Sequence, residues 1–297
     1  MRQITMQETG NKFPKMTDFS FTDDSFDYNI TTSYFLSIRI APDGFSFCTL
    51  DPVINKFIQI QHIKFDKKRS LIEQVEECFV KYGKLNLPYK KTLILVPSLQ
   101  STLVPSAIYM EEEKDTWMTF TNNVERENNT IISTKIKLAD AVHLFKIKNE
   151  IKELMNKQFQ EPMFIHPHSP IIESNLSTNL TDGDNKLLFL NIESNYVDIL
   201  VFGNNNLQLC NTFTIKSGND FIYFTLFVFE QMKINVANVS VIVSGQHPNF
   251  DEMLNHLRKY IKNVQSAKLP HQFQYSHLFK DIDPPAFHTL LNLSSCV

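Results

Sequence analysis

The order of apolar runs in this chain predicts an α/β protein of two tandem units, each a mixed sheet flanked by helices. Three observations carry that expectation. From Tyr34 to Ser98, three strand-like runs are followed by an amphipathic helix and a short, wholly apolar strand. From Lys186 to Gly245 the same order returns, with Leu188, Leu190 and Ile192 matching Leu36, Ile38 and Ile40. At 297 residues the chain is long enough for two cores.

Taken in order, residues 1–30 read as a polar N-terminal arm whose Phe13, Phe19, Phe21 and Phe26 can dock on the body or on a partner. Leu36, Ile38 and Ile40 alternate with polar residues. Pro42-Asp43-Gly44 supplies a turn, Phe45, Phe47 and Thr49 alternate again, and Phe57 to Ile60 completes an antiparallel meander. Leu71, Val75, Phe79 and Tyr82 recur at helical spacing, with Gly83 placed to end the helix. Leu93 to Val96 has no polar alternation, which is the pattern of a central parallel strand. Pro105 opens a helix expected over 105–120, with Glu111, Glu112 and Glu113 on a solvated face. Residues 131–147 read as a hairpin, Asn149 as the cap of a helix through Phe159, and Met163 to Ile165 as a short strand. Ser169-Pro170 opens a further helix, and Asn179 to Asn185 is the linker.

The first unit is therefore placed at 31–180, with an inserted subdomain at about 105–147, and the second at 184–297. In the second unit the helix Asn219 to Met232 is apolar nearly all round (Phe221, Ile222, Phe224, Phe227, Val228, Phe229), so it should be covered on more than one side, one face meeting the first unit. Leu254, Leu257 and Ile261 line another helix. A last helix, with Phe287, Leu290, Leu291 and Leu293, is placed to return to the first unit.

Composition excludes several functions. A net charge of −3 offers no broad attraction for nucleic acid, and the run Lys67-Lys68-Arg69 reads as a solvated turn. The opening residues lack the apolar core of a signal peptide, and no apolar run has the length of a membrane span, so the expectation is a cytoplasmic protein. Cys48, Cys78, Cys210 and Cys296 have no paired spacing and read as buried, inert thiols. Only seven glycines are present, where average usage would give about 20. Loops that cradle phosphate need glycine so that backbone N–H groups can approach the anion.

His166-Pro167-His168 is the nearest approach to a metal cluster, but no third ligand is adjacent, and a loop entering a helix accounts for the pair. His247-Pro248 reads as a helix start. No serine sits in a GxSxG elbow. Glu193 and Asp198 share one hairpin and are either a carboxylate pair or ordinary solvent-facing acids.

The tandem order of meander, helix, strand and helix resembles the duplicated, ribonuclease-H-like fold of the actin-like ATPases over residues 31–297. The chain as a whole is similar to an uncharacterised bacterial family assigned that fold. Within the superfamily it resembles the pilus- and secretion-assembly members, some of which keep the fold as a docking platform. The resemblance implies ATP bound in the cleft between the units, with Mg²⁺ and phosphate held by an acid, a glycine and a hydroxyl residue in each first hairpin. Here the first hairpin, LSIRIAPDGFSF, puts Arg39 at the acid position, with Asp43-Gly44 in the turn. The second, LFLNIESNYVDIL, puts Asn191 there with no glycine following, and Tyr196 would crowd the phosphate path. Ser244-Gly245 matches the turn that approaches the nucleoside.

These departures lead to an expectation of a pseudo-ATPase: a non-catalytic interaction or assembly module that binds another protein or itself. No catalytic residue, no metal ligand and no resident cofactor are expected. If a nucleotide does bind, Asp43, Glu193, Ser244 and Gly245 are the residues that would meet it. The alternative is a divergent ATP-dependent ATPase or kinase using the cleft, with Asp43, Glu193 or Asp198 on Mg²⁺.

Overall fold

The computed structural model describes residues 17–121, 128–178, 185–236 and 238–297. Phe13 and most of the expected linker lie outside them. In chain order the elements are β1 (Phe19–Thr22), β2 (Phe35–Ala41), β3 (Gly44–Asp51), β4 (Lys56–Lys64), α1 (Leu71–Lys81) and β5 (Lys91–Leu95). Then follow β6 (Ser101–Pro105), α2 (Lys114–Thr121), β7 (Asn129–Ile136), β8 (Ala141–Lys148), α3 (Asn149–Gln158), β9 (Met163–Ile165) and α4 (His168–Ser177). The remainder is β10 (Lys186–Ile192), β11 (Tyr196–Gly203), β12 (Asn206–Thr214), α5 (Gly218–Gln231), β13 (Val239–Ser244), α6 (Phe250–Leu257), β14 (Val264–Ser266), β15 (Gln274–Tyr275) and α7 (Pro284–Leu291).

Two mixed sheets share one strand order. The first runs β4-β3-β2-β5-β9 and the second β12-β11-β10-β13-β14, each an antiparallel meander followed by two parallel strands. The first sheet is larger than expected, because β1 pairs with β4 over Phe19 to Thr22 and β15 adds Gln274 and Tyr275. Phe19, Phe21 and Phe26 of the N-terminal arm are thus part of the body. Phe19 and Phe21 pack on one core, while Phe26 joins Tyr34 and Ile58 in another.

Side chains alternate across each sheet, so both faces are apolar and both are covered. On the first sheet, Leu36, Ile38, Ile40, Phe45 and Phe47 face α1 and α3, while Cys48, Leu50, Phe57, Ile60, Leu93 and Leu95 face Phe287, Leu290 and Leu291 of α7. On the second, Leu188, Leu190, Ile192, Val197, Ile199 and Val201 face α5 and α6, and Leu187, Phe189, Leu200 and Phe202 face Ile171, Ile172 and Leu176 of α4.

Two expectations are corrected. Residues 105–120 are not one helix: Pro105 is extended and ends β6, which pairs with β8, and α-helix begins only at Lys114. Together β6, β8 and β7 form a third, antiparallel sheet over a small core of Val104, Met118, Val142 and Leu144. The outer face of α5 does not meet the first unit. Tyr223 is 62% and Phe227 39% exposed, and the helix is held through Phe221, Ile222, Val228 and Phe229. No helix among the described residues is long and apolar enough to cross a membrane.

Candidate functional site

The two first hairpins meet at Arg39. Register places Arg39 on β2 opposite Ser46 of β3, on the face that α7 covers, and Asp43 lies in the turn that follows. The corresponding turn of the second sheet carries Glu193, whose N–H donates to the Tyr196 carbonyl at 2.9 Å. Arg39 Nη1 donates to Asp43 Oδ1 at 3.2 Å and Nη2 to Glu193 Oε2 at 2.8 Å, with the arginine only 4% exposed. Burial opposes the guanidinium charge, but Glu193 and Asp43 outweigh it and hold Arg39 above its ordinary value. Burial pushes Glu193 up to about 7, against the pull of Arg39. A guanidinium therefore occupies the point on which both turn carboxylates converge.

A second polar group runs across the other sheet. The strand register sets Ser244, Asn191, Asp198 and Thr212 in one row across β13, β10, β11 and β12. Ser244 Oγ donates to Asn191 Oδ1 at 3.0 Å, Asn191 Nδ2 to Asp198 Oδ2 at 3.0 Å, and Thr212 Oγ1 to Asp198 Oδ1 at 2.7 Å. Asn191 and Asp198 lie on the face that α4 covers, and the first turn of α4 brings His168 Nε2 to 2.9 Å from Asp198 Oδ1. The other ring nitrogen, Nδ1, lies 3.1 Å from Cys210 Sγ. Burial works against a charged imidazole, yet Cys210 and Asp198 raise His168 to about 10. Asp198 is likewise opposed by burial, but His168 holds it below the usual carboxylate value.

His168 also belongs to a buried group of three imidazoles. His143, on β8, supplies the third member that the sequence did not reveal, and one nitrogen from each ring lies within 4.8 Å of the others. His166 Nε2 donates to the Ser98 carbonyl at 2.9 Å, and its Nδ1 accepts the His168 N–H at 3.2 Å. His168 has both nitrogens engaged as described. Only His143 Nε2 finds no partner, while its Nδ1 sits 3.1 Å from Ser169 Oγ. Burial, with neighbouring imidazoles, lowers His143 far below its ordinary value and His166 to about 3. A metal here would have to displace hydrogen bonds made by two of the three rings.

Of the residues singled out for a nucleotide, Asp43 and Glu193 come together on Arg39, and Ser244 is bonded to Asn191. Gly245 has φ near +121°, and a Cβ there would stand 2.0 Å from the Ile192 carbonyl oxygen, so the turn requires glycine. Its N–H donates to the Pro285 carbonyl at 3.0 Å, and Gln246 Nε2 to the Ala286 carbonyl at 2.9 Å, which ties the turn to α7. Asp198 does not pair with Glu193; it is taken up by His168. Cys210 is half-buried and in contact with an imidazole, unlike the buried Cys48 and Cys78. A hollow of about 650 Å³ lies elsewhere, against β1 and the end of α1, and none of these residues lines it.

Comparison with known proteins bears on the fold. A solved structure from Bacteroides thetaiotaomicron VPI-5482, a protein with actin-like ATPase fold and unknown function, is similar at 24% identity and TM-score 0.79, covering 92% of this chain and 99% of that one. A chain of the PilM-PilN type IV pilus biogenesis complex is similar at 10% identity and TM-score 0.57, covering 87% of this chain and 97% of that one. No curated protein matches the chain. The fold is that of the actin-like ATPases. Residues 23–264 match the model of a protein family of unknown function, DUF3822, and the chain belongs to that family.

Proposed function

We propose that this protein is an actin-like module that binds another protein, or a second copy of itself, and performs no phosphate chemistry. The observation that carries this reading is the buried bridge of Arg39 to Asp43 and Glu193. Mg²⁺ bound with a nucleotide needs carboxylate oxygens and room for water and phosphate. In their place stands a fixed positive charge bonded to both carboxylates. Two further facts support a protein partner. Tyr223 and Phe227 stack on each other on the exposed face of α5, their ring centroids 6.2 Å apart. The pilus-biogenesis neighbour, with the same fold, was solved as a complex with another protein.

The competing reading is a divergent ATP-dependent enzyme, and the convergence of Asp43 and Glu193 favours it. It requires Arg39 to withdraw when Mg²⁺-nucleotide arrives. A thermal melt with and without millimolar Mg-ATP, repeated with ADP, separates the two. Ligand at 100 times its dissociation constant adds about 2.7 kcal/mol, a melting shift on the order of 5 to 10 °C for a protein of this size. The interaction module predicts no shift. A shift of that order with either nucleotide would overturn it.

A further inference from the structure

We propose that Cys210 is a nucleophilic cysteine, with His168 as its base and Asp198 orienting that base, and that it forms mixed disulfides with small disulfide molecules. The arrangement has the three parts such a site needs. Sγ of Cys210 is within hydrogen-bond reach of His168 Nδ1 at 3.1 Å, and the opposite ring nitrogen is held by Asp198 Oδ1 at 2.9 Å. Asp198 is itself fixed by Thr212 Oγ1 and Asn191 Nδ2. With Nε2–H donating to the carboxylate, Nδ1 is the nitrogen that faces the sulfur and holds the proton given up by the thiol. Cys210 lies on β12, the edge strand of the second sheet, and is half-buried at the margin of the core beneath α4.

Thiol–disulfide exchange suits these parts because it develops no oxyanion. It needs only a thiolate and a proton for the departing sulfur. With the Cys210 proton resting on His168 Nδ1, the thiolate attacks one sulfur of the disulfide. The new S–S bond forms as the old one breaks, and the leaving thiolate takes the proton back from His168. One disulfide and one thiol give one mixed disulfide and one thiol. Asp198 stays ionised throughout.

The groups facing His168 are Asp198 on β11, Cys210 and Thr212 on β12, His166 ahead of α4, and His143 on β8, whose ring stacks on His168 at 5.5 Å. His143 and His166 stay neutral, so Asp198 is the charge that sustains an imidazolium beside the thiolate.

The test is alkylation of the full native chain with iodoacetamide, with each cysteine peptide followed by mass spectrometry. An ordinary thiol loses about tenfold in rate for each pH unit below its pKa of about 8.5. Cys210 should react at least about tenfold faster than Cys48, Cys78 and Cys296 at about pH 6, and lose less than about threefold between about pH 8 and that value. Asp198→Asn should restore the ordinary pH profile, with folding checked by the unchanged burial of Cys48 to the same reagent. Oxidised glutathione should add one glutathionyl group at Cys210 and release one thiol, and Cys210→Ser should abolish this. The proposal fails if Cys210 follows the ordinary thiol profile, if it reacts no faster than the other three, or if oxidised glutathione leaves it unmodified.

Discussion

The two sheets carry a polar row at the same place, and the rows have opposite character. In the first, Arg39, Ser46 and His62 lie side by side across β2, β3 and β4. In the second, Asn191, Asp198 and Thr212 lie across β10, β11 and β12, with His168 delivered from α4. Each row meets a buried histidine. His62 Nδ1 is 2.8 Å from Ser46 Oγ, and its ring packs edge-on against Phe287. Burial and the charge of Arg39 lower His62 to about 4, so it is neutral. His168, equally buried, is kept cationic by Cys210 and Asp198. Burial alone would neutralise both rings; the sign of the nearest fixed charge decides which one keeps its proton. The same fold thus presents a cation at its first hairpin and an anion–imidazole pair at its second.

The strongest way to break this contrast is to remove the cation. Arg39→Met should cost about 3–5 kcal/mol, because it leaves Glu193 and Asp43 without the charge that pairs them. The double variant Arg39→Met/Glu193→Gln should recover much of that loss, since no unpaired carboxylate then remains at Glu193. His62 should titrate closer to its ordinary value in the single variant. Chemical denaturation of the three proteins, with imidazole proton shifts followed by NMR, measures all of this. A loss below about 1 kcal/mol would mean that the pair does not hold the two units together.

Asp198→Asn tests the other row and should cost about 3 kcal/mol near neutral pH. The sign of its pH dependence follows from His168. A folded value of about 10, above the ordinary 6.5, gives a contribution fully present below 6.5 and lost as pH rises through 10. The penalty of Asp198→Asn should therefore be largest near pH 6 and shrink across that window. Melting curves of both proteins over that range would show the two converging. A constant difference would mean that His168 is neutral, and the two rows would then not differ in charge.

The contrast between the rows was partly legible in the sequence. Period-2 alternation located the strands of both meanders, and Arg39 and Asn191 could be placed at matching points of the two hairpins. The shared strand order made that match possible. The partners of the second row could not be placed, because they come from separate elements. His168 starts a helix, His143 lies on a hairpin of the third sheet, and Cys210 sits on an edge strand. A cysteine among apolar strand residues looks like core, and nothing local shows that α4 lays an imidazole against it. Glycine scarcity pointed away from a phosphate cradle, and Gly245 packs closely on the Ile192 backbone. The outer face of α5 was misjudged because an all-apolar helix is normally covered on every side.

That helix gives the mildest expected effect on stability. In the shared order, α1 and α5 both follow a meander, and α1 turns Glu73, Glu76 and Glu77 to solvent. At the matching place α5 turns out Tyr223 and Phe227, with Phe224 stacked on Phe213 at 4.8 Å. Phe227→Asp puts a carboxylate where water already reaches, so it should change stability by no more than about 0.5 kcal/mol. Its effect should fall on association. If this face meets a second copy of the chain, sedimentation should show a concentration-dependent dimer in the parent and a monomer in Phe227→Asp. If it meets another protein, the variant should melt with the parent and lose that complex alone. A large fall in melting temperature would show instead that the face is covered within the chain, and α5 would then no longer differ from α1 as the open face of the pair.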